Sequence, residues 1–339
     1  MNEKIEKAIK EMGFKELTEV QKKTIPLMLQ GKNVVVRAKT GSGKTAAFVI
    51  PILELGKKSL IVTPTRELTR QIASHIRDIG RYMDVKVAEV YGGMPYKSQI
   101  KRVKDANIIV ATPGRLLDLW SKGEIDLSSF EIVILDEADL MLEMGFIDDV
   151  KIILSQTSNR KITGLFSATI PEEIRKIARE FISDYEEVEA CIGLANVEHN
   201  FIRVEDDWRS KIKALRTYKE SGIIVFVRTR SRVAKLVRIF DNAVELRGDL
   251  PQSVRNRNID AFRKGEYDML ITTDVASRGL DIPLVGEIIN FDAPKDIRTY
   301  IHRIGRTGRM GKQGKAITFL LDSEYWLERE VKKLLNSKA

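Results

Sequence analysis

Two short stretches hold residue types that do phosphate chemistry. The first is "AKTGSGKT", residues 38–45, and the second is "EIVILDEADLMLEMGF", residues 131–146. In the first, Gly41 and Gly43 let the backbone approach an anion, Lys44 reaches the β and γ phosphates, and the hydroxyl of Thr45 suits magnesium. Ala38, Lys39, Thr40 and Ser42 complete the cradle, with Ala38 standing where many such loops begin with glycine. In the second stretch an apolar run ends in the carboxylates Asp136, Glu137 and Asp139. Alone, they suit a helix start, where free N–H groups and the helix dipole favour negative charge. Beside a phosphate-binding loop they gain roles: Asp136 holds the metal and Glu137, the next residue, acts as general base toward water. Asp139 also reads as a helix cap.

Such a site needs elements to hold it. "NVVVR" precedes the loop as a strand and "AAFVIPILEL" follows it with helical character, which is the strand, loop and helix order a P-loop requires. Ile132 to Leu135 reads as a short buried strand ahead of the carboxylates. Similar apolar runs alternate with amphipathic segments along the chain: "SLIVTP", "NIIVATP" and "ITGLFSAT", then "GIIVFVRT", "YDMLITTD", "VGEIINFD" and "KAITFLLD". This alternation predicts an α/β fold of parallel sheets covered on both faces. The pattern lapses across "SDYEEVEACIGLANVEHN", residues 183–200. We therefore expect a first domain over residues 1–190, a linker over 191–203 and a second domain over 204–339, a division that suits 339 residues.

Composition narrows the classes. A chain that is 43% hydrophobic and 31% charged is of globular type, and its apolar runs are too short to span a membrane. The net charge of +9 admits an anionic partner. Cys191 is the one cysteine, which excludes an intrachain disulfide or a multi-cysteine metal site and fits a reducing cytoplasm. His75, His199 and His302 are too scattered for a metal cluster. The closing stretch "DSEYWLEREVKKLLNSKA" is expected to form a helix that packs Tyr325, Trp326 and Leu327 on its own domain.

"DEAD" at 136–139, taken with the P-loop, resembles the DEAD-box family of superfamily-2 RNA helicases, and the resemblance spans nearly the entire chain in the family's motif order. "GFKELTEVQ", 13–21, looks like the Q motif, although Leu17 stands where proline is common. "PTREL", "GG", "TPGR", "SAT", "VFVRT", "GDLPQSVR", "ITTDVASRGLDIP" and "HRIGRTGR" complete the set. The resemblance implies two tandem RecA-like domains, ATP and Mg2+ as cofactors, RNA as partner, and RNA-stimulated ATP hydrolysis coupled to local separation of short duplexes.

The same resemblance distributes roles. Gln21 reads the adenine edge with Phe14 packed nearby, Asp281 lies near the ribose, and Arg306 and Arg309 are arginine fingers on the γ-phosphate. RNA backbone contacts fall to Pro64, Thr65, Arg66, Gly92, Gly93, Thr112, Gly114 and Arg115 in the first domain. In the second they fall to Arg228, Gly248, Thr273, Arg278 and Gly279. Asp139, Ser167, Thr169, Asp274 and His302 couple the domains. An independent physical reading agrees for "PTREL" and "TPGR": each follows an expected strand, so each sits at the carboxyl edge of the sheet, where ligands of open α/β folds bind. Hydroxyl, guanidinium and backbone N–H groups grip phosphates without reading bases. Two other activities fit the same residues: an ATP-gated RNA clamp or annealing protein, and a DNA-directed translocase of the same superfamily.

Overall fold

The computed structural model describes the chain apart from residues 40, 191–196, 219, 278–281, 284, 309–312 and 337–339. It divides into two compact units, Met1–Cys191 and Ile192–Ala339. The first holds seven strands: β1 (Asn33–Arg37), β2 (Ser59–Val62), β3 (Val87–Val90), β4 (Ile108–Ala111), β5 (Ile132–Asp136), β6 (Ile162–Ser167) and β7 (Tyr185–Glu189). They lie in the order β3-β4-β2-β5-β6-β1-β7, with every pair parallel. The second holds β8 (Val197–Arg203), β9 (Ile223–Phe226), β10 (Ala243–Leu246), β11 (Met269–Thr272), β12 (Glu287–Asn290) and β13 (Gly314–Leu320). Their order is β10-β11-β9-β12-β13-β8, again all parallel.

The alternating pattern is therefore realised as two doubly wound sheets. Strands β2, β4, β5, β6, β9, β11 and β12 are buried along their whole length, as helices on both faces require. The sheet of the first unit packs two cores, one per face: Phe48, Ile61 and Ile134 lie on one side, Leu60, Val133 and Leu165 on the other.

Two strands lie where the apolar pattern lapses. β7 and β8 are edge strands, and an edge strand has neighbours on one side only. In β7 only Val188 is buried, while Glu186, Glu187 and Glu189 point to water and pair with Lys32, Arg175 and Arg37. Charged side chains at an edge also discourage pairing with other chains. The expected terminal helix is present over Trp326–Asn336, with Leu327 and Val331 buried against Tyr300, Ile301 and Ile304 and with Tyr325 and Trp326 packed beside them. Among the described residues no helix is long and apolar enough to cross a membrane.

Candidate active site

The P-loop leaves β1 and enters the helix Lys44–Leu55 through two left-handed glycines, Gly41 at φ 73° and Gly43 at φ 96°. The Ser42 hydroxyl closes the loop by donating to the Lys39 carbonyl at 2.8 Å, and the Ala38 N–H donates to the Ser167 carbonyl at 2.9 Å. Gly43 is needed for a second reason. A Cβ there would meet Gln21 Nε2 at 2.4 Å and Thr18 Oγ1 at 2.8 Å. Gln21 is 1% exposed: its Nε2 donates to the Gly43 carbonyl at 3.1 Å and its Oε1 accepts from the Thr18 N–H at 2.9 Å. The Q motif thus braces the P-loop backbone, a contact that the resemblance did not imply. Phe14 packs part-buried against the same core. Thr40 lies outside the described residues.

Asp136 is the last residue of β5 rather than the first beyond it, and it is buried. Its Oδ1 accepts the Glu137 N–H at 3.0 Å. Glu137 sits at the helix N-cap with φ 53° and ψ 51°, one of two non-glycine residues with positive φ among those described. Such a conformation costs on the order of 1–3 kcal/mol and persists only when the surroundings impose it. Lys44 Nζ reaches Glu137 Oε1 at 2.9 Å, with both side chains nearly buried. Burial opposes the charge on Lys44, but Glu137, Asp136 and Asp139 together outweigh it and hold its pKa above the usual lysine value. Burial pushes Asp136 up to about 7, although Lys44 pulls it down. A carboxylate held in that setting is under-compensated, and a divalent cation would supply the missing charge.

Asp139 is fully buried and does two things. Its Oδ1 accepts the Leu140 N–H at 3.0 Å, serving the first turn of the helix Ala138–Glu143. Its Oδ2 accepts from Thr169, at 2.9 Å from the N–H and 2.7 Å from the hydroxyl. The Ser167 hydroxyl also receives the Asp139 N–H at 3.1 Å. "DEAD" and "SAT" are thereby tied together within the first unit. The strand order β5-β6-β1 explains the convergence: "DEAD" ends β5, "SAT" ends β6 and the P-loop ends β1, on three adjacent strands.

A second cluster occupies the ends of β2, β4 and β3, also adjacent. Thr65 caps the helix Arg66–Ile79, its hydroxyl accepting the Leu68 N–H at 3.2 Å, after the buried Pro64. The Arg66 guanidinium then lies over the diglycine turn. A Cβ on Gly93, whose φ is 90°, would meet Arg66 Nη1 at 2.5 Å, and one on Gly92 would lie 3.5 Å from Nη2. Thr112 precedes the helix Pro113–Ser121, in which Arg115 Nη1 donates to the Met94 carbonyl at 3.1 Å. A Cβ on Gly114 would meet nothing within 4 Å. Arg66, Gly92, Gly93, Thr112 and Arg115 thus form one neighbourhood. Gln99 holds it and escaped the sequence reading: fully buried, it accepts the Tyr91 N–H at 3.0 Å and donates to the Met94 carbonyl at 3.2 Å. Its signal was an amide on the apolar face of an otherwise basic helix.

In the second unit Arg228 follows β9, with its N–H on Asp292 Oδ2 at 2.9 Å and its Nη2 on Glu324 Oε1 at 3.0 Å. Thr273 is buried just after β11. Asp274 takes a two-pronged ion pair from Arg303, at 2.6 Å to Nε and 2.9 Å to Nη2. Arg303 is 3% exposed and also donates to Asn290 and to the Asp292 carbonyl, so this arginine of "HRIGR" serves its own unit. His302 and Arg306 are half-buried, and Gly248 is exposed. Arg278, Gly279, Asp281 and Arg309 lie outside the described residues. Asp292 also escaped the sequence reading: it is fully buried and collects Lys211 Nζ at 3.0 Å, the Arg232 guanidinium and the Arg228 N–H.

Comparison with known proteins converges on one group. A family model for DEAD/DEAH box helicases matches residues 18–177, and a model for the helicase conserved C-terminal domain matches residues 209–311. The DEAD-box ATP-dependent RNA helicase CshA of Geobacillus kaustophilus is 40% identical over 353 residues, covering 98% of this chain and 76% of that protein. The crystal structure of a hypothetical ATP-dependent RNA helicase from Sulfolobus tokodaii is 83% identical, covers 98% of this chain and 100% of that one, and has a TM-score of 0.57. S. cerevisiae Dbp5 bound to RNA and ADP BeF3 is 29% identical, with 98% and 91% coverage and a TM-score of 0.85. The two parallel sheets with flanking helices match the tandem RecA-like domains of such structures. With both family models matched in chain order and a relative 40% identical across 98% of this chain, the protein belongs to the DEAD-box helicase family.

Proposed function

We propose that the protein is an ATP-dependent RNA helicase that grips the RNA backbone and separates short duplexes, coupled to ATP binding and hydrolysis. The observation that carries the reading is the pairing of Lys44 with Glu137, beside Asp136, at the end of the P-loop strand's sheet. In this reading Lys44 belongs to the β and γ phosphates, and its present partner Glu137 is freed to accept a proton from the attacking water. Thr45 and Asp136 offer one hydroxyl and one carboxylate, a hard-oxygen pair that suits Mg2+, whose shell is usually completed by phosphate and water. When bound, the ion neutralises charge developing on the phosphates.

Ala38, Lys39, Thr40, Gly41, Ser42 and Gly43 then line the nucleotide, with Gln21, Phe14 and Asp281 serving the nucleoside. Arg306 and Arg309 act as arginine fingers. The cluster of Arg66, the diglycine turn and Arg115 takes phosphates, and Arg228, Gly248, Thr273, Arg278 and Gly279 do so in the second unit. Asp139, Ser167, Thr169, Asp274 and His302 relay the nucleotide state. ATP and RNA each favour the same closed state, so each raises affinity for the other. A cytoplasmic location accords with the single cysteine.

The test is strand displacement on short RNA duplexes with ATP and with a non-hydrolysable analogue. Displacement that depends on nucleotide supports a helicase; tight RNA retention with no displacement under either nucleotide identifies a clamp instead. Stronger ATPase stimulation by single-stranded DNA than by RNA of the same sequence would favour the DNA-directed translocase.

A further inference from the structure

The helix Tyr96–Asp105 begins just past the diglycine turn, and its first residue is an exposed aromatic, Tyr96, at 37% exposure. Two cations lie on that ring. The Arg115 guanidinium carbon is 4.3 Å from the ring centroid and Lys122 Nζ is 4.1 Å from it. The Tyr96 hydroxyl donates to Asp118, which also takes Lys122 at 2.7 Å and faces Arg115 Nε at 3.6 Å. Bonds from Lys122 and from Tyr96 hold the Asp118 carboxyl below its ordinary pKa, so it stays charged and keeps both cations in place. A stray surface arginine would sample many rotamers. Arg115 instead has three restraints: the Met94 carbonyl, the ring face and Asp118. Pre-ordering of this kind lowers the entropy cost of gripping a ligand.

We propose that Tyr96 is a positioning residue for the RNA-backbone site and that Lys122 is an additional phosphate-binding residue of it. The ring carries Arg115 and Lys122 side by side at the edge of the cluster formed by Arg66 and the diglycine turn. One carboxylate shared by two cations leaves the group with net positive charge. A phosphate therefore replaces part of Asp118's hold on Lys122 instead of meeting a neutral surface. The inference rests on the assignment of Arg115 to the RNA backbone.

The experiment measures binding of a short oligouridine to the full chain with a non-hydrolysable ATP analogue, across a salt series, together with RNA-stimulated ATPase. Lys122→Ala is expected to weaken binding and make its salt dependence shallower, because one counterion-releasing contact is lost. Tyr96→Ala is expected to raise Kd roughly two- to tenfold, the range of a cation–π contact, while Tyr96→Phe retains most of the affinity. Both variants should raise the RNA concentration needed for half-maximal ATPase and leave the maximal rate unchanged. If Tyr96→Ala and Lys122→Ala bind oligouridine as the parent does while Arg115→Ala does not, the inference is overturned and the reading of Arg115 survives. If Arg115→Ala also binds normally, both are overturned. A Tyr96→Ala variant with a lower Tm and unchanged RNA affinity would reduce the cluster to a staple between two helices, which also overturns the inference.

Discussion

At the scale of single residues, the active site is organised by a few side chains whose environments are unlike water. Glu137 is paired with Lys44 and held in a left-handed backbone conformation. Glu137→Gln keeps the shape of the side chain and removes its ability to take a proton. We expect RNA-dependent ATP binding to persist and turnover to fall by roughly 10²- to 10⁴-fold, the usual contribution of a general base. Steady-state ATPase beside nucleotide binding checks this, and a wild-type rate would show that the base lies elsewhere. Lys44→Ala acts differently: it should weaken nucleotide binding itself, because the cation proposed to meet the phosphates is gone. Gly43→Ala faces both a positive φ and the Gln21 amide. The left-handed strain alone costs about 1–2 kcal/mol, and the displaced Gln21 adds to it, so the variant should melt earlier and bind nucleotide poorly.

At the scale of elements, the site is held by ties between the ends of neighbouring strands. Asp139 links the end of β5 to the end of β6 through Thr169, in a fully buried setting. Hydrogen bonds to a buried charge are worth about 1.5–3 kcal/mol. Thr169→Val should therefore lower stability by about that amount, and it should uncouple ATPase from strand displacement if the tie relays the nucleotide state. In the second unit Asp292, just past β12, draws together Arg228 and Arg232, which follow β9, and Lys211 of the helix Trp208–Leu215. Burial alone would raise its pKa, yet the Arg228 N–H and the two cations outweigh burial and lower it. A folded value below the unfolded one means that the stabilisation is complete above the ordinary carboxylate range, near pH 4, and is lost as pH falls through the depressed value. Thermal melts of wild type and Asp292→Asn should differ most at neutral pH and converge under acid conditions. Asp292→Ala should cost about 3–5 kcal/mol, since Lys211 would be left as an unpaired buried charge.

At the scale of the whole molecule, the charge of +9 and the cluster proposed to grip phosphates point to binding that ignores base identity. RNA affinity should fall steeply with salt and vary little between sequences of equal length; a strong sequence preference would show that base edges are read as well. Reciprocity between ATP and RNA is the other global expectation. If RNA tightens ATP binding by some factor, ATP must tighten RNA binding by the same factor, and paired titrations test that equality.

Much of this was legible in the sequence because it depends on local order. The P-loop announces itself through strand, glycines and helix, and the buried strands through continuous apolar runs that parallel packing demands. The edge strands β7 and β8 were not legible, because a strand with one neighbour and a charged outer face carries little apolar pattern. Nor was the hold of Gln21 on Gly43, the collar of Gln99 around the diglycine turn, or the gathering of Arg228, Arg232 and Lys211 on Asp292. Each of these joins residues from different elements, and spacing along a chain does not encode which strands become neighbours. Residue types and motif order were the sequence's own contribution. The crossing of strands that puts β5, β6 and β1 side by side, and so brings Glu137 to Lys44 and Asp139 to Thr169, was decided only by the tertiary fold.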